Sequence, residues 1–211
     1  PQPHTLVLTI SDPAARNALS PQVYAAGVEA LDTAESDAQI RCVILRGAGD
    51  HFCGGGDLQR LNSTRALGLQ EGAERQQQSI ERLNSFIETL RSFPKPVIAA
   101  VEGYAAGAGF SLVLGCDLVV AAEDAKFVMS YARVGLSPDG GSSWQLARRL
   151  PANIAMQTIM LPDPIDAARA RSLGLVNEVV AHGQALQAAL ALAERLAALA
   201  DQLATGKISA K

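Results

Sequence analysis

The chain has 211 residues, 48% of them hydrophobic and 18% charged, with a formal net charge of −3. That length fits one large domain or two small ones, and the apolar fraction is enough for a real core. Scattered basic residues and an aromatic share of only 4% supply neither the electrostatic footprint nor the stacking platform of a nucleic-acid binder, although two or three local cations would serve a small anionic ligand.

Read in chain order, "HTLVLTI" (His4 to Ile10) alternates and predicts a strand. Ser20 as N-cap and Pro21 as first helical residue open a helix through "YAAGVEALDTAESD". The β-branched run "IRCVILRGAG" predicts a buried strand, and the polar segment from Leu58 to Ser92 predicts helix interrupted at Gly68 and Gly72. After Pro94 and Pro96, "VIAAVEG" reads as a third strand, "GAGFSLVLGCD" as a helix start, "LVVAAE" as a fourth strand and "KFVM" as a fifth. The remainder is helical around the short strand "VNEVV" and ends in an alanine-rich helix, a lobe packed on the main domain or on a neighbouring subunit. This β-then-α order implies an α/β fold with helices covering a largely parallel sheet. Apolar stretches are interrupted by Glu102 and glycines, so they predict buried core and no membrane span. Cys42, Cys53 and Cys116 are odd in number and widely spaced, which predicts reduced thiols in a cytoplasmic protein.

Two glycine-rich turns, "HFCGGGDL" and "GYAAGAGF", follow the second and third buried strands. Ends of parallel strands are where α/β folds bind ligands, and N–H groups left free at a helix start favour negative charge. Neither turn has the dinucleotide or Walker spacing, no Gly-x-Ser-x-Gly elbow accompanies His4, His51 and His182, and no ligand spacing implies a metal. Asp139, in "SPDGG", is a turn residue by composition and also a candidate acid–base group.

"FCGGGDL", "KPVIAAVEGYAAGAGFSLVLGCDLVVAAEDAKF", "VGLSPDGGSSWQLARRLP" and "ARSLGLVNEVV", together with "ARNALS", occur in the order found in the enoyl-CoA hydratase/isomerase (crotonase) superfamily, which the chain resembles from about Thr5 to Val180. The resemblance implies a crotonase (ClpP-like) spiral of ββα units over residues 1–150, carrying the CoA and active sites. It implies a C-terminal helical lobe over 151–211, of which "ATGKISAK" is shorter than the family's final helix, and assembly into homotrimers or dimers of trimers. By the same resemblance, the backbone N–H groups of Cys53 and Ala108 bind the thioester oxygen of an acyl-CoA, and Arg16 lies near the CoA phosphates. Gly55, Asp57, Leu58 and Gly107 belong to the substrate-binding loops, and Trp144 is expected in the core beside the pocket. No cofactor beyond the CoA moiety of the substrate is implied.

Hydratases of this family hold a water between two glutamates, and those positions carry Ser111 and Tyr131 here. Hydroxyls without assistance are poor bases near neutral pH. Asp139 is the remaining acid, and its Pro-Asp-Gly setting is similar to that of enoyl-CoA isomerases and ring-epoxide phenylacetyl-CoA isomerases. The expected chemistry is isomerisation through an enolate with Asp139 as proton shuttle. Hydration with Asp139 and a water held by Tyr131 or Ser111 is the second reading, and acyl-CoA binding without chemistry the third.

Overall fold

A computed structural model describes residues 4–204. Its main layer is a five-stranded sheet with β1 (Thr5–Ile10), β2 (Cys42–Gly47), β3 (Val97–Val101), β5 (Leu118–Ala122) and β8 (Glu178–Val180) side by side in that order. Every neighbouring pair is parallel, as the alternation of strands and helices requires. β3 is buried along its whole length, which explains why it reads as a continuous apolar run without alternation.

A smaller layer consists of β4 (Tyr104–Ala106), β6 (Lys126–Val128) and β7 (Ile165–Asp166), with β4 parallel and β7 antiparallel to β6. Isolated bridges from Cys53 to Ala105 and from Leu19 to Gly56 extend this layer to the first glycine turn. The chain therefore steps twice from the large sheet to the small one, β3 to β4 and β5 to β6, and after β4 enters α4 (Ala108–Gly115). The sequence does not predict β4: two of its three residues are alanines, which favour strands weakly, and pairing with its neighbours specifies it.

α1 (Pro21–Ser36) begins as its cap predicts, with the Ser20 hydroxyl accepting the Val23 N–H. The polar segment forms α2 (Leu58–Arg65) and α3 (Leu69–Ser92), separated at Gly68, whose φ of 89° suits glycine. Gly72 does not interrupt the helix. It lies within α3 where a Cβ would sit 2.8 Å from the Thr64 carbonyl oxygen, so its role is to let the end of α2 lie against α3.

Side chains alternate across the main sheet. Val43, Leu45, Val97, Ala99 and Val119 join the large core formed with α1, α3 and α4. Cys42, Ile44, Ile98, Ala100 and Val120 face the other way, onto an Ala185, Ala189, Ala193 stripe of α8 (Ala185–Ala204). The four-residue spacing puts these small side chains on one helix face. Both Glu102 carboxylate oxygens accept N–H groups at the start of α8, from Gly183 at 3.0 Å and Ala185 at 2.9 Å, where negative charge also suits the helix dipole. α5 (Ser142–Arg149), α6 (Ala152–Met160) and α7 (Ala167–Ser172) close the fold, and Ala155, Ala167 and Ala170 reach the same large core. Among the described residues no helix is long and apolar enough to cross a membrane.

Candidate active site

The two glycine turns meet. Ala106 donates its N–H to the Cys53 carbonyl at 2.9 Å, and a Cβ on Gly109 would lie 2.4 Å from that same carbonyl oxygen. A Cβ on Gly55, whose φ is 97°, would fall 2.7 Å from the Ala106 oxygen and 3.6 Å from the Ala108 nitrogen. Glycine is thus required where α4 starts against the first turn. Ala108 is the first residue of α4, so its N–H has no acceptor within the helix.

Asn17 holds the first turn from behind. It is fully buried at a left-handed φ of 57°, accepts the Asp12 N–H at 2.9 Å, and donates to the carbonyls of Ala48 at 2.8 Å and His51 at 2.7 Å. Sequence reasoning did not single it out. The available signal was an asparagine inside "ARNALS", since asparagine tolerates this conformation better than most residues.

Between the turns and the faces of α1, α2 and α3 lies a cavity of about 260 Å³. Of the candidate residues, Gly55, Asp57, Leu58, Gly107, Ala108, Tyr131 and Asp139 line it. Its two carboxylates differ in their engagement. Asp57 caps α2, accepting the N–H groups of Gln59 and Arg60 at 2.9 and 3.2 Å. Asp139 is held by a hydroxyl: Tyr131 donates to its Oδ1, and Ser111 Oγ lies 3.1 Å from the Tyr131 oxygen. Ser111 sits buried behind the cavity wall, and its hydroxyl also reaches the Asp139 carbonyl at 3.4 Å.

The turn carrying Asp139 is pinned on both sides. The Gly140 N–H donates to Asn84 Oδ1 on α3 at 3.0 Å, and the Ser142 hydroxyl donates to the Asp139 carbonyl at 2.7 Å. Burial raises the Asp139 pKa above the ordinary carboxylate range, while the Tyr131 hydrogen bond pulls it partly back. Burial and the adjacent Asp139 charge push the Tyr131 phenol far upward, so it stays a donor at working pH. Activity that needs ionised Asp139 therefore rises with pH through a midpoint above that range. Tyr131→Phe removes the bond that favours the ionised form and should move this acid limb upward. A pH profile of kcat/KM left unmoved in the variant would contradict that coupling.

The sequence model described as enoyl-CoA hydratase/isomerase matches residues 3–209. The chain belongs to the enoyl-CoA hydratase/isomerase family. It is 40% identical over 196 residues to an enoyl-CoA hydratase of Mycobacterium tuberculosis, covering 92% of this chain and 72% of that protein. It is 38% identical over 198 residues to the 1,2-epoxyphenylacetyl-CoA isomerase of Escherichia coli, covering 91% and 72%. The crystal structure of an enoyl-CoA hydratase from Polaromonas sp. JS666 superposes with a TM-score of 0.89 at 55% identity, covering 93% of this chain and 75% of the other. The fold is accordingly the crotonase fold of this family.

Ser111 and Tyr131 are thus linked by hydrogen bonds to one carboxylate, Asp139. Two expectations need correction, those for Cys53 and Trp144. The Cys53 N–H donates to the Tyr104 carbonyl at 3.0 Å, closing the bridge between the turns, so it is not available to a thioester oxygen. Farther along the turn, Gly54 donates to the Arg16 carbonyl at 2.8 Å and Gly55 approaches Cys53 Sγ at 3.4 Å. Gly56 follows and lines the cavity, and among the described residues its N–H is paired with no acceptor. The Cys53 side chain is buried packing, as expected, and burial pushes its thiol up to about 12.

Trp144 is not in the core. It is 49% exposed because the buried face of the short helix α5 is set by Ser142, Gln145 and Leu146, and the guanidinium groups of Arg91 and Arg148 lie over its ring, 4.6 and 4.5 Å from the centroid. Arg16 is exposed and lies outside this cavity, where its backbone serves the first turn. The fold also gathers Glu102, Asp124 and His182 with ligand-type atoms within 4.8 Å of one another, a grouping that linear spacing does not reveal. Glu102 there is engaged by the start of α8, and His182 Nδ1 lies 3.1 Å from Asp124 Oδ2.

Proposed function

We propose that this protein isomerises an unsaturated, or related ring-containing, acyl-CoA thioester through an enolate, with Asp139 carrying the proton. The observation supporting this reading is the single hydrogen-bonded relay: Asp139 is the cavity carboxylate not engaged by a helix cap, and the hydroxyls at both glutamate positions converge on it.

The thioester oxygen is received by the N–H of Ala108 and, in place of Cys53, that of Gly56. Donors fixed before the reaction stabilise charge as it develops on that oxygen. The Asp139 carboxylate removes a proton from the carbon between the thioester and the double bond, and the electron pair moves onto the thioester oxygen. Protonated Asp139 then delivers the proton to the far end of the original double bond, leaving the conjugated isomer. Burial raises its basicity, and the Tyr131 hydroxyl, steadied by Ser111, keeps one carboxylate oxygen in place. CoA enters as part of the substrate, and the reaction as written consumes no separate cofactor.

Hydration by Asp139 and a water held near Tyr131 is the second reading, supported by the hydratase names of several relatives, including a 2,3-dehydroadipyl-CoA hydratase of Escherichia coli. Matched β,γ- and α,β-unsaturated acyl-CoAs separate the two. Double-bond migration should exceed water addition by about tenfold or more, since one carboxylate supports a two-site proton transfer on its own. Faster water addition would replace isomerisation by hydration, and binding without turnover across the panel would leave a binding protein.

A further inference from the structure

We propose that the cavity takes an acyl group carrying a neutral oxygen substituent, such as a hydroxyl or ether, and that Tyr24 is the donor that recognises it. This rests on the acyl-CoA reading above and adds the class of acyl group.

A purely hydrocarbon chain asks for an apolar wall, and Leu19, Leu61, Ile80, Leu83 and Leu136 provide one. That wall is broken by Tyr24 from α1 and by Gln76 and Ser79 from α3. Tyr24 is only 5% exposed and its ring belongs to the large core, a packing role that phenylalanine would fill equally well. What the tyrosine adds is a hydroxyl beside the cavity, and buried phenol hydroxyls are normally matched to a partner. Ser79 hydrogen-bonds the phenol oxygen in the sense that favours its ionised form, which leaves the phenol proton to be donated, while the Asp139 carboxylate is bonded by Tyr131 instead. Burial, reinforced by the Asp139 charge, holds the Tyr24 phenol well above its ordinary pKa. It therefore remains a neutral donor throughout the working pH range, suited to a neutral acceptor oxygen.

The cations that also line the cavity point to a different part of the ligand. Arg60 and Arg75 are exposed, Arg75 is paired with Glu71 at 3.0 Å, and Arg133 donates to the Pro162 carbonyl at 2.6 Å. These are groups on the solvent side, whereas Tyr24 is enclosed.

The test is calorimetric binding of saturated thioesters, in which no double bond can move: hexanoyl-CoA, its chain-hydroxylated derivatives, and the analogue ending in a carboxylate. Wild type should bind the best hydroxylated thioester at least about tenfold more tightly than hexanoyl-CoA, as expected of one well-made hydrogen bond. In Tyr24→Phe that ratio should fall to about one, with a melting temperature confirming that the variant is folded. A ratio unchanged in the variant, or a wild-type preference for the plain chain, would overturn the proposal. So would a preference for the carboxylate analogue that disappears in Arg60→Gln. Binding of none of the thioesters would overturn the acyl-CoA reading itself, and the oxygen preference with it.

Discussion

Asp139→Asn is expected to lower turnover of a β,γ-unsaturated acyl-CoA by about a thousandfold, within the range general acid–base groups contribute. Asparagine has nearly the same shape, keeps an oxygen for the Tyr131 hydroxyl and leaves the Asn84 and Ser142 contacts of the turn untouched. It cannot accept a proton. Substrate affinity should therefore change little while kcat falls, because the lost interaction belongs to the transition state. Ser111→Ala, which removes support for Tyr131 and a long contact to the Asp139 carbonyl but leaves the carboxylate itself, should cost far less. Steady-state kinetics on wild type and both variants check this ordering, and an Asp139→Asn enzyme within threefold of wild type would return the residue to its turn.

The largest expected loss of stability is at Asn17. Asn17→Ala leaves the Asp12 N–H and the carbonyls of Ala48 and His51 without their partner in a fully buried setting. Buried polar groups left unpaired cost on the order of 1–3 kcal/mol each, partly relieved by relaxation and entering water. Alanine is also less tolerant than asparagine of the left-handed backbone at φ 57°. A net loss of about 3 kcal/mol should lower the melting temperature by about 6–12 °C for a chain of this size. Asn17→Asp should not rescue it, because a carboxylate would face two carbonyl oxygens. Thermal unfolding of both variants decides the matter, and a shift under about 2 °C would show that Asn17 does not hold the first glycine turn.

The parts of the fold set by local chemistry were legible in advance. Ser20 and Pro21 mark the start of α1, and the apolar runs of β2 and β3 mark central parallel strands. β4 was not legible, because a three-residue run with two alanines carries too little strand signal and takes its form from β6 and from Cys53. Gly72 misled because a glycine that ends a helix and one that admits a neighbouring carbonyl look alike in sequence.

At the site, Asp139 could be named from its Pro-Asp-Gly setting, and Ser111 and Tyr131 from the family's glutamate positions. Their joining could not be seen, since Tyr131 is 20 residues from Ser111 and 8 from Asp139, and the register of β4 on β6 brings them together. Cys53 illustrates a different limit. Position in a motif places a residue in a turn, but the opposite strand determines which N–H remains free, and Tyr104 takes that of Cys53. Trp144 failed for want of length, because eight residues of helix give too weak a periodicity to assign its buried face.

Proton movement by the single Asp139 carboxylate, as proposed, can be followed by solvent exchange at the substrate carbons. Wild-type protein and Asp139→Asn would be incubated with a β,γ-unsaturated acyl-CoA in deuterium oxide, and label at the carbons flanking the double bond followed by NMR. With wild type, double-bond migration is expected with deuterium entering no faster than migration, because Asp139 returns the proton it removed unless that proton exchanges first, and both migration and exchange should vanish together in the variant. Continued exchange in Asp139→Asn at the wild-type rate would contradict this reading and assign the proton to another group.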